Sequence, residues 1–259
     1  MVRFAETSDG VRLAYESAGT GRPGMLLVHG WCCDHTYLAP QLTHFAPRYA
    51  VVAPDLRGHG DSDRPEPRLG TYDIETLADD VLVVAEEAGL ERPLIVGHSL
   101  GALVALACAA RPGAVRAAVM IEPAPMFPGR HKEHLQRSVP DVAEDHDGSW
   151  RRDFAAGLLK STDTVRRAET MATMAAVPPP IASAVLHSFA RFDGGGPLER
   201  AEVPLLAITA GSGERELREH RAVTVGRTVG AGHFPQLEVP EQVNAMIDRF
   251  LAINGFGAP

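Results

Sequence analysis

Six short, mostly apolar runs recur along the chain, and they set the strongest limit on how it can fold. They are Met25–Val28, Ala50–Ala53, Pro93–Val96, Ala117–Ile121, Pro204–Ile208 and Ala222–Val229. Runs of this length that are apolar on both faces suit central strands of a covered parallel sheet, since an exposed face would alternate with polar residues. Two further segments, Val2–Thr7 and Val11–Ser17, do alternate, and Ser8-Asp9-Gly10 between them reads as the turn of a strand pair. Helical patterns fall between the runs, clearest over Ile74–Ala88, Leu100–Ala110 and Pro240–Ile253. Strands alternating with helices predict an α/β fold with a doubly wound, mostly parallel eight-stranded sheet. Such sheets bind ligands beyond the carboxyl ends of their strands.

One stretch breaks the alternation. From Pro125 to Gly196 the sequence offers amphipathic helical pieces, around Gly129–Ser138, Ser149–Lys160, Asp163–Ala175 and Ile181–Phe192, and no strand. The expectation is a helical cap over 125–196, inserted after the sixth strand into a core built from 1–124 and 197–259.

At 259 residues, 45% of them hydrophobic, the chain can bury a core of that size. The formal net charge of −8 argues against nucleic acid or an anionic membrane as partner, because both require a basic face. Cys32, Cys33 and Cys108 are odd in number and two are adjacent, so no disulfide framework is expected and a reducing, cytoplasmic setting fits. The residues from Met1 to Glu6 show no apolar signal region, and the longest strongly apolar run, Leu100–Ala110, is too short to span a bilayer. Composition leaves a homodimer open.

The motifs that carry chemistry lie at strand ends. Gly97-His98-Ser99-Leu100-Gly101 follows one apolar run and opens a helix, which is the context of a nucleophile elbow. A sharp strand-to-helix turn there holds Ser99 in a strained backbone, and the glycines keep neighbouring chains clear. The Leu100 amide then sits at a helix N-terminus, where it can donate to an oxyanion. A second donor is expected from the loop after the third strand, which begins His29-Gly30-Trp31 and offers the Trp31 amide. A serine needs a base, and His233, in Gly232-His233-Phe234-Pro235, follows the last strand. His29, His59 and His98 read more economically as structural histidines. No phosphate loop, dinucleotide fingerprint or metal cluster is evident, so no cofactor is expected; His131 and His134 lack a supporting third ligand and read as solvent-facing.

Taken together, His29-Gly30-Trp31, Pro54-Asp55-Leu56-Arg57-Gly58-His59-Gly60-Asp61-Ser62, Gly97-His98-Ser99-Leu100-Gly101 and Gly232-His233-Phe234 resemble the α/β-hydrolase fold superfamily. The resemblance covers nearly all of the chain outside the cap. It implies a Ser/His pair and leaves the substrate open.

The usual pattern of that family places an aspartate after the seventh strand. Here the corresponding residues, Ile208 to Glu216, contain no Asp. Glu214 and Glu216 are available, though helix-cap roles explain them simply. The preferred acid is Glu122, which ends a fully apolar strand; a buried carboxylate there needs a partner, and a histidine N–H supplies one. An acid in this position resembles two subgroups, the zearalenone-type lactonases and the cofactor-independent ring-cleaving quinolone dioxygenases. Gly30-Trp31-Cys32-x-Asp34-His35 and His233-Phe234-Pro235 resemble the second, whereas the elbow looks like that of an ordinary esterase.

The expected activity is therefore that of a serine esterase or lactonase acting on a small hydrophobic substrate through an acyl-enzyme. Ring-cleaving dioxygenase or C–C hydrolase chemistry on the same Ser/His/Glu site is the alternative. Dehalogenase and epoxide-hydrolase readings want Asp where Ser99 stands. Pocket candidates are Cys32 and Cys33 beside the oxyanion loop, His98, and from the cap Met126, Phe127, Trp150, Phe154, Met171, Met174 and Phe189. Met and aromatic residues at helical spacing equally suit the core of the cap itself.

Overall fold

The computed structural model describes residues 2–160, 164–211 and 215–257. Eight strands form one sheet in the order β1-β2-β4-β3-β5-β6-β7-β8. They are β1 (Arg3–Glu6), β2 (Arg12–Ala18), β3 (Gly24–Val28), β4 (Ala50–Pro54), β5 (Leu94–His98), β6 (Ala117–Ile121), β7 (Leu205–Thr209) and β8 (Val223–Arg227). The first two pair antiparallel with each other and β2 pairs antiparallel with β4. Every pairing from β4 to β8 is parallel.

The apolar runs are buried on both faces because helices cover both. Alternate strand residues divide between two cores, as a period of two requires. Leu26, Val28, Ile95, Ala118, Met120 and Ala207 pack on α2 (Ile74–Glu87) and α3 (Leu100–Ala109). Met25, Leu27, Val96, Val119 and Ile208 pack on α1 (Ala39–Phe45) and α11 (Pro240–Ile253). All ten residues of α3 are buried, so this helix has no polar face and lies at the centre of its layer. β8, at the edge, is largely exposed and shorter than the expected Ala222–Val229.

Between β6 and β7 the chain forms the cap: α4 (Arg130–Ala143), α5 (Ser149–Leu158), α6 (Thr164–Ala176), α7 (Pro179–Arg191) and α8 (Gly195–Arg200). The last of these runs four residues beyond the expected end at Gly196, because Gly194-Gly195-Gly196 opens a short helix rather than closing the cap. A short 3-10 turn (His35–Leu38), α1, α9 (Arg215–Glu219) and α10 (Pro235–Glu238) were not expected from periodicity. At four to seven residues they are too short to show it. Among the described residues no helix is long and apolar enough to cross a membrane.

Candidate active site

Ser99 stands between β5 and α3 with φ 54° and ψ −112°, outside the regions a side-chain-bearing residue prefers. Such a residue costs about 1–3 kcal/mol and persists only where its surroundings impose it. The imposition is visible: Ser99 N–H donates to Ile121 O at 2.9 Å, and its carbonyl accepts from Ala102 and Ala124. The turn is also tight. A Cβ on Gly97 would lie 1.9 Å from the Gly101 carbonyl oxygen, and one on Gly101 would lie 2.3 Å from that of Val28. Both glycines of the motif are required by backbone contact.

His233, in the loop after β8, brings Nε2 to 2.9 Å from Ser99 Oγ. Its other nitrogen, Nδ1, faces Glu122 Oε2 at 3.4 Å. Main-chain and side-chain contacts hold this loop. His233 N–H donates to Leu158 O at the end of α5 at 2.8 Å. His98 Nε2–H donates to His233 O at 2.7 Å. The His98 ring is buried, which pushes its pKa well down, and the carbonyl it meets assigns the proton to Nε2. Its Nδ1 has no hydrogen-bond partner among the described residues.

Glu122 follows β6 at φ 41°, a left-handed conformation that turns the chain out of the strand. Its N–H donates to Ile208 O at 2.8 Å. Its Oε1 accepts from the Ala210 N–H. The residues after β7, where the family pattern has its acid, thus supply amides that grip the carboxylate of Glu122. Burial pushes this carboxyl up, but the His233 hydrogen bond and the Ala210 and Gly211 amides outweigh it and hold it below the ordinary value. Glu122 is a strand-end carboxylate that binds loop amides and also faces His233. Glu214 and the side chain of Glu216 lie outside the described residues.

The loop after β3 carries Trp31. The indole Nε1–H donates to Ala182 O in α7 at 2.9 Å, and the ring meets Trp150, Phe154 and Phe189 edge-on at 5.7–6.5 Å. Sequence reasoning singled out only the main chain of Trp31; its side chain ties the core loop to the cap.

Ser99, His233, Glu122, Trp31 and His98 line one cavity of about 490 Å³. Phe154, Met174 and Phe189 from the cap line it too, with Cys33, Leu135 and Phe234. Several expected pocket residues do not reach it. Cys32 is fully buried at φ 55° and packs toward the Arg151 guanidinium, with burial raising its thiol pKa; Cys33 is the cysteine that borders the cavity. Met126 is fully buried against Gly194. Trp150 stacks behind Phe154 at 5.3 Å and 13°, leaving Phe154 as the surface. Phe127 and Met171 are half-buried and pack against the larger apolar core. His131 and His134 are exposed, as expected, and also stand at the rim of the cavity from the first turns of α4.

A family model described as the alpha/beta hydrolase family matches residues 25–246. A pimeloyl-[acyl-carrier protein] methyl ester esterase from Xanthomonas campestris pv. campestris (strain B100) is 30% identical over 258 residues, covering 89% of this chain and 95% of that one. AB hydrolase superfamily protein YisY from Bacillus subtilis (strain 168) is 36% identical over 112 residues, 43% of this chain. That match spans 40% of YisY, well under two thirds of its length. Among solved structures, a thermophilic esterase from Thermogutta terrifontis superposes with a TM-score of 0.83 at 24% identity. The superposition covers 98% of this chain and 99% of that one, a likeness of fold.

Proposed function

Because the chain belongs to the alpha/beta hydrolase family, we propose that it is a serine hydrolase that cleaves a carboxylic ester or lactone of a small hydrophobic substrate through an acyl-enzyme. The observation that carries the reading is the line from Ser99 Oγ through His233 at 2.9 Å to Glu122 at 3.4 Å. It opens on a cavity whose wall includes Trp31, Leu135, Phe154, Met174 and Phe189. The ester-cleaving relative that matches 89% of the chain supports it.

In this reading Ser99 Oγ attacks the acyl carbon as His233 Nε2 takes its proton. Glu122 accepts from Nδ1–H, so it holds the tautomer whose Nε2 is free and stabilises the imidazolium that forms. The 3.4 Å separation is long for a charge-assisted bond, as is common before substrate closes a site. The oxyanion accepts from the Trp31 and Leu100 amides. Collapse breaks the ester bond, and the departing alkoxide takes the proton from His233. Water, deprotonated by the same imidazole, then releases the acid and regenerates Ser99.

With p-nitrophenyl butyrate as probe, Ser99→Ala is expected to lose at least about 10⁴-fold in kcat and to escape labelling by a fluorophosphonate. Glu122→Gln is expected to lose about 10²–10⁴-fold, while Glu214→Gln keeps its rate. Turnover that survives Ser99→Ala and consumes oxygen would instead favour ring-cleaving chemistry. A Glu214→Gln variant that loses activity while Glu122→Gln keeps it would move the acid to the loop after β7.

A further inference from the structure

Two buried imidazoles outside the proposed triad grip the main chain on either side of Trp31. His29 Nδ1–H donates to Gly30 O at 2.8 Å, and its Nε2 accepts from Leu56 N–H at 3.0 Å. His59 Nδ1–H donates to Arg57 O at 3.0 Å, and its Nε2 accepts from Cys32 N–H at 3.1 Å. The two rings lie 5.2 Å apart and both side chains are fully buried. Each ring is therefore the Nδ1–H tautomer, and each uses both nitrogens on main-chain groups.

The consequence falls on two successive peptide planes. The Gly30 carbonyl also accepts from Cys33 N–H at 3.2 Å, so that end of the Gly30–Trp31 peptide is held from two sides. In a trans peptide the N–H points opposite to the C=O, so anchoring Gly30 O turns the Trp31 N–H away from His29. The next plane is fixed through Cys32 N–H by His59, at the residue whose φ of 55° reverses the loop.

The holders are themselves held. Asp55, buried at the end of β4, accepts from the His35 N–H, His35 Nδ1–H and Asp61 N–H. Arg57 donates to Asp80 from Nε and Nη2 at 2.6 Å and reaches Asp9 at 3.0 Å. His59 follows both anchors in the chain and is tied to that held segment, its N–H donating to Leu56 O at 2.9 Å and its Nδ1–H to Arg57 O at 3.0 Å.

We propose that His29 and His59 are positioning residues of the oxyanion hole, aiming the Trp31 amide at the acyl oxygen by clamping the Gly30–Trp31 and Trp31–Cys32 peptides. The inference rests on the acyl-transfer reading and adds to it a role for two residues of the sequence motifs that the triad leaves unused. Burial, which pushes His59 down to about 3 and His29 down as well, keeps both rings neutral and so able to accept an N–H.

The test uses His59→Leu, which removes the acceptor, and His59→Gln, which restores one, together with p-nitrophenyl butyrate and an aryl trifluoromethyl ketone that forms a tetrahedral adduct with the serine. His59→Leu is expected to lower kcat about 10–100-fold, less than deleting an oxyanion donor outright, with KM little changed. Its affinity for the ketone falls by the same factor, and His59→Gln recovers most of both. A folded His59→Leu enzyme that keeps kcat and ketone affinity overturns the proposal, as does one in which ketone affinity is kept while kcat falls. Should neither variant fold, nitrogen-15 spectra of the unsubstituted enzyme at pH 5 decide: neutral Nδ1–H rings at His29 and His59 support the clamp, and an Nε2–H tautomer or an imidazolium removes it. Failure of the acyl-transfer reading shows separately, as hydrolysis that persists in Ser99→Ala.

Discussion

At Ser99, His233 and Glu122 the same physical situation recurs: each residue lies beyond the carboxyl end of a strand, and its main chain is held by a hydrogen bond to a neighbouring segment. Two of the three backbones that carry these contacts, at Ser99 and Glu122, are left-handed. His233 instead depends on contacts from outside its own loop, and His98 supplies one of them. His98→Phe keeps an aromatic ring against Phe234, now 5.1 Å away, and deletes the donor to His233 O. We expect kcat to fall about 10-fold with KM nearly constant, and a loss of about 1–3 kcal/mol in stability from the orphaned carbonyl. Steady-state kinetics beside thermal melts check both. A variant with unchanged kcat would show that the Leu158 contact alone places the imidazole. Ser99 could be read from Gly-x-Ser-x-Gly between a strand and a helix, His233 from its place after the last strand, and Glu122 as a carboxylate ending an apolar strand, where burial without a partner is expensive. Cys32, Met126 and Trp150 were misplaced because adjacent or helical residues on one side of the chain share composition, and only packing tells Phe154 at the cavity from Trp150 behind it.

Among the elements, Trp31 makes one of the direct contacts by which the cap meets the site. Its Nε1–H bond to Ala182 O at 2.9 Å joins the loop after β3 to α7, while its ring faces α5 through Phe154. Trp31→Phe retains the main-chain amide and loses this bond. The expected result is a modest destabilisation of about 1 kcal/mol. Amide exchange should quicken in α5 and α7 and stay unchanged in β3, β5 and β6, with KM raised more than kcat is lowered. Exchange that quickens uniformly would mean that Trp31 stabilises the core rather than the cap. The central strands and the longer helices were legible because their periods, two or 3.6, extend over enough residues to be read. The edge strand β8 was legible as a strand, though not in its bounds or its exposure, and the helices of four to seven residues were not, since their form follows from what they pack on.

For the molecule as a whole, buried histidines make stability depend on pH in a direction that can be worked out. His29, His59 and His98 have pKa values lowered first of all by burial, and His59 reaches about 3. In the unfolded chain each titrates near 6.5. Between that value and the lower folded one, the unfolded state binds a proton that the folded state refuses, so stability falls as pH falls. While this difference persists, each such imidazole removes about 1 kcal/mol per pH unit. His35 acts the other way: its hydrogen bond to Asp55 raises its pKa, so its contribution is full below 6.5 and fades as pH rises through the raised value. Below pH 6.5 the His35 contribution is already full, so the three lowered imidazoles predict a net loss on acidification, beginning before any carboxylate titrates. Below about pH 4–5 a second loss joins it. The Asp55 carboxyl, pushed up by burial but brought below its usual range by His35, and the similarly lowered Glu122 then protonate preferentially in the unfolded chain. Melting temperatures measured from pH 8 to pH 4 at constant ionic strength should be level near neutrality and then decline in two stages. A temperature that holds or rises between pH 6.5 and 5 would mean that these imidazoles are not buried as neutral rings, and the placement of the oxyanion loop by His29 and His59 would lose its basis at the same time.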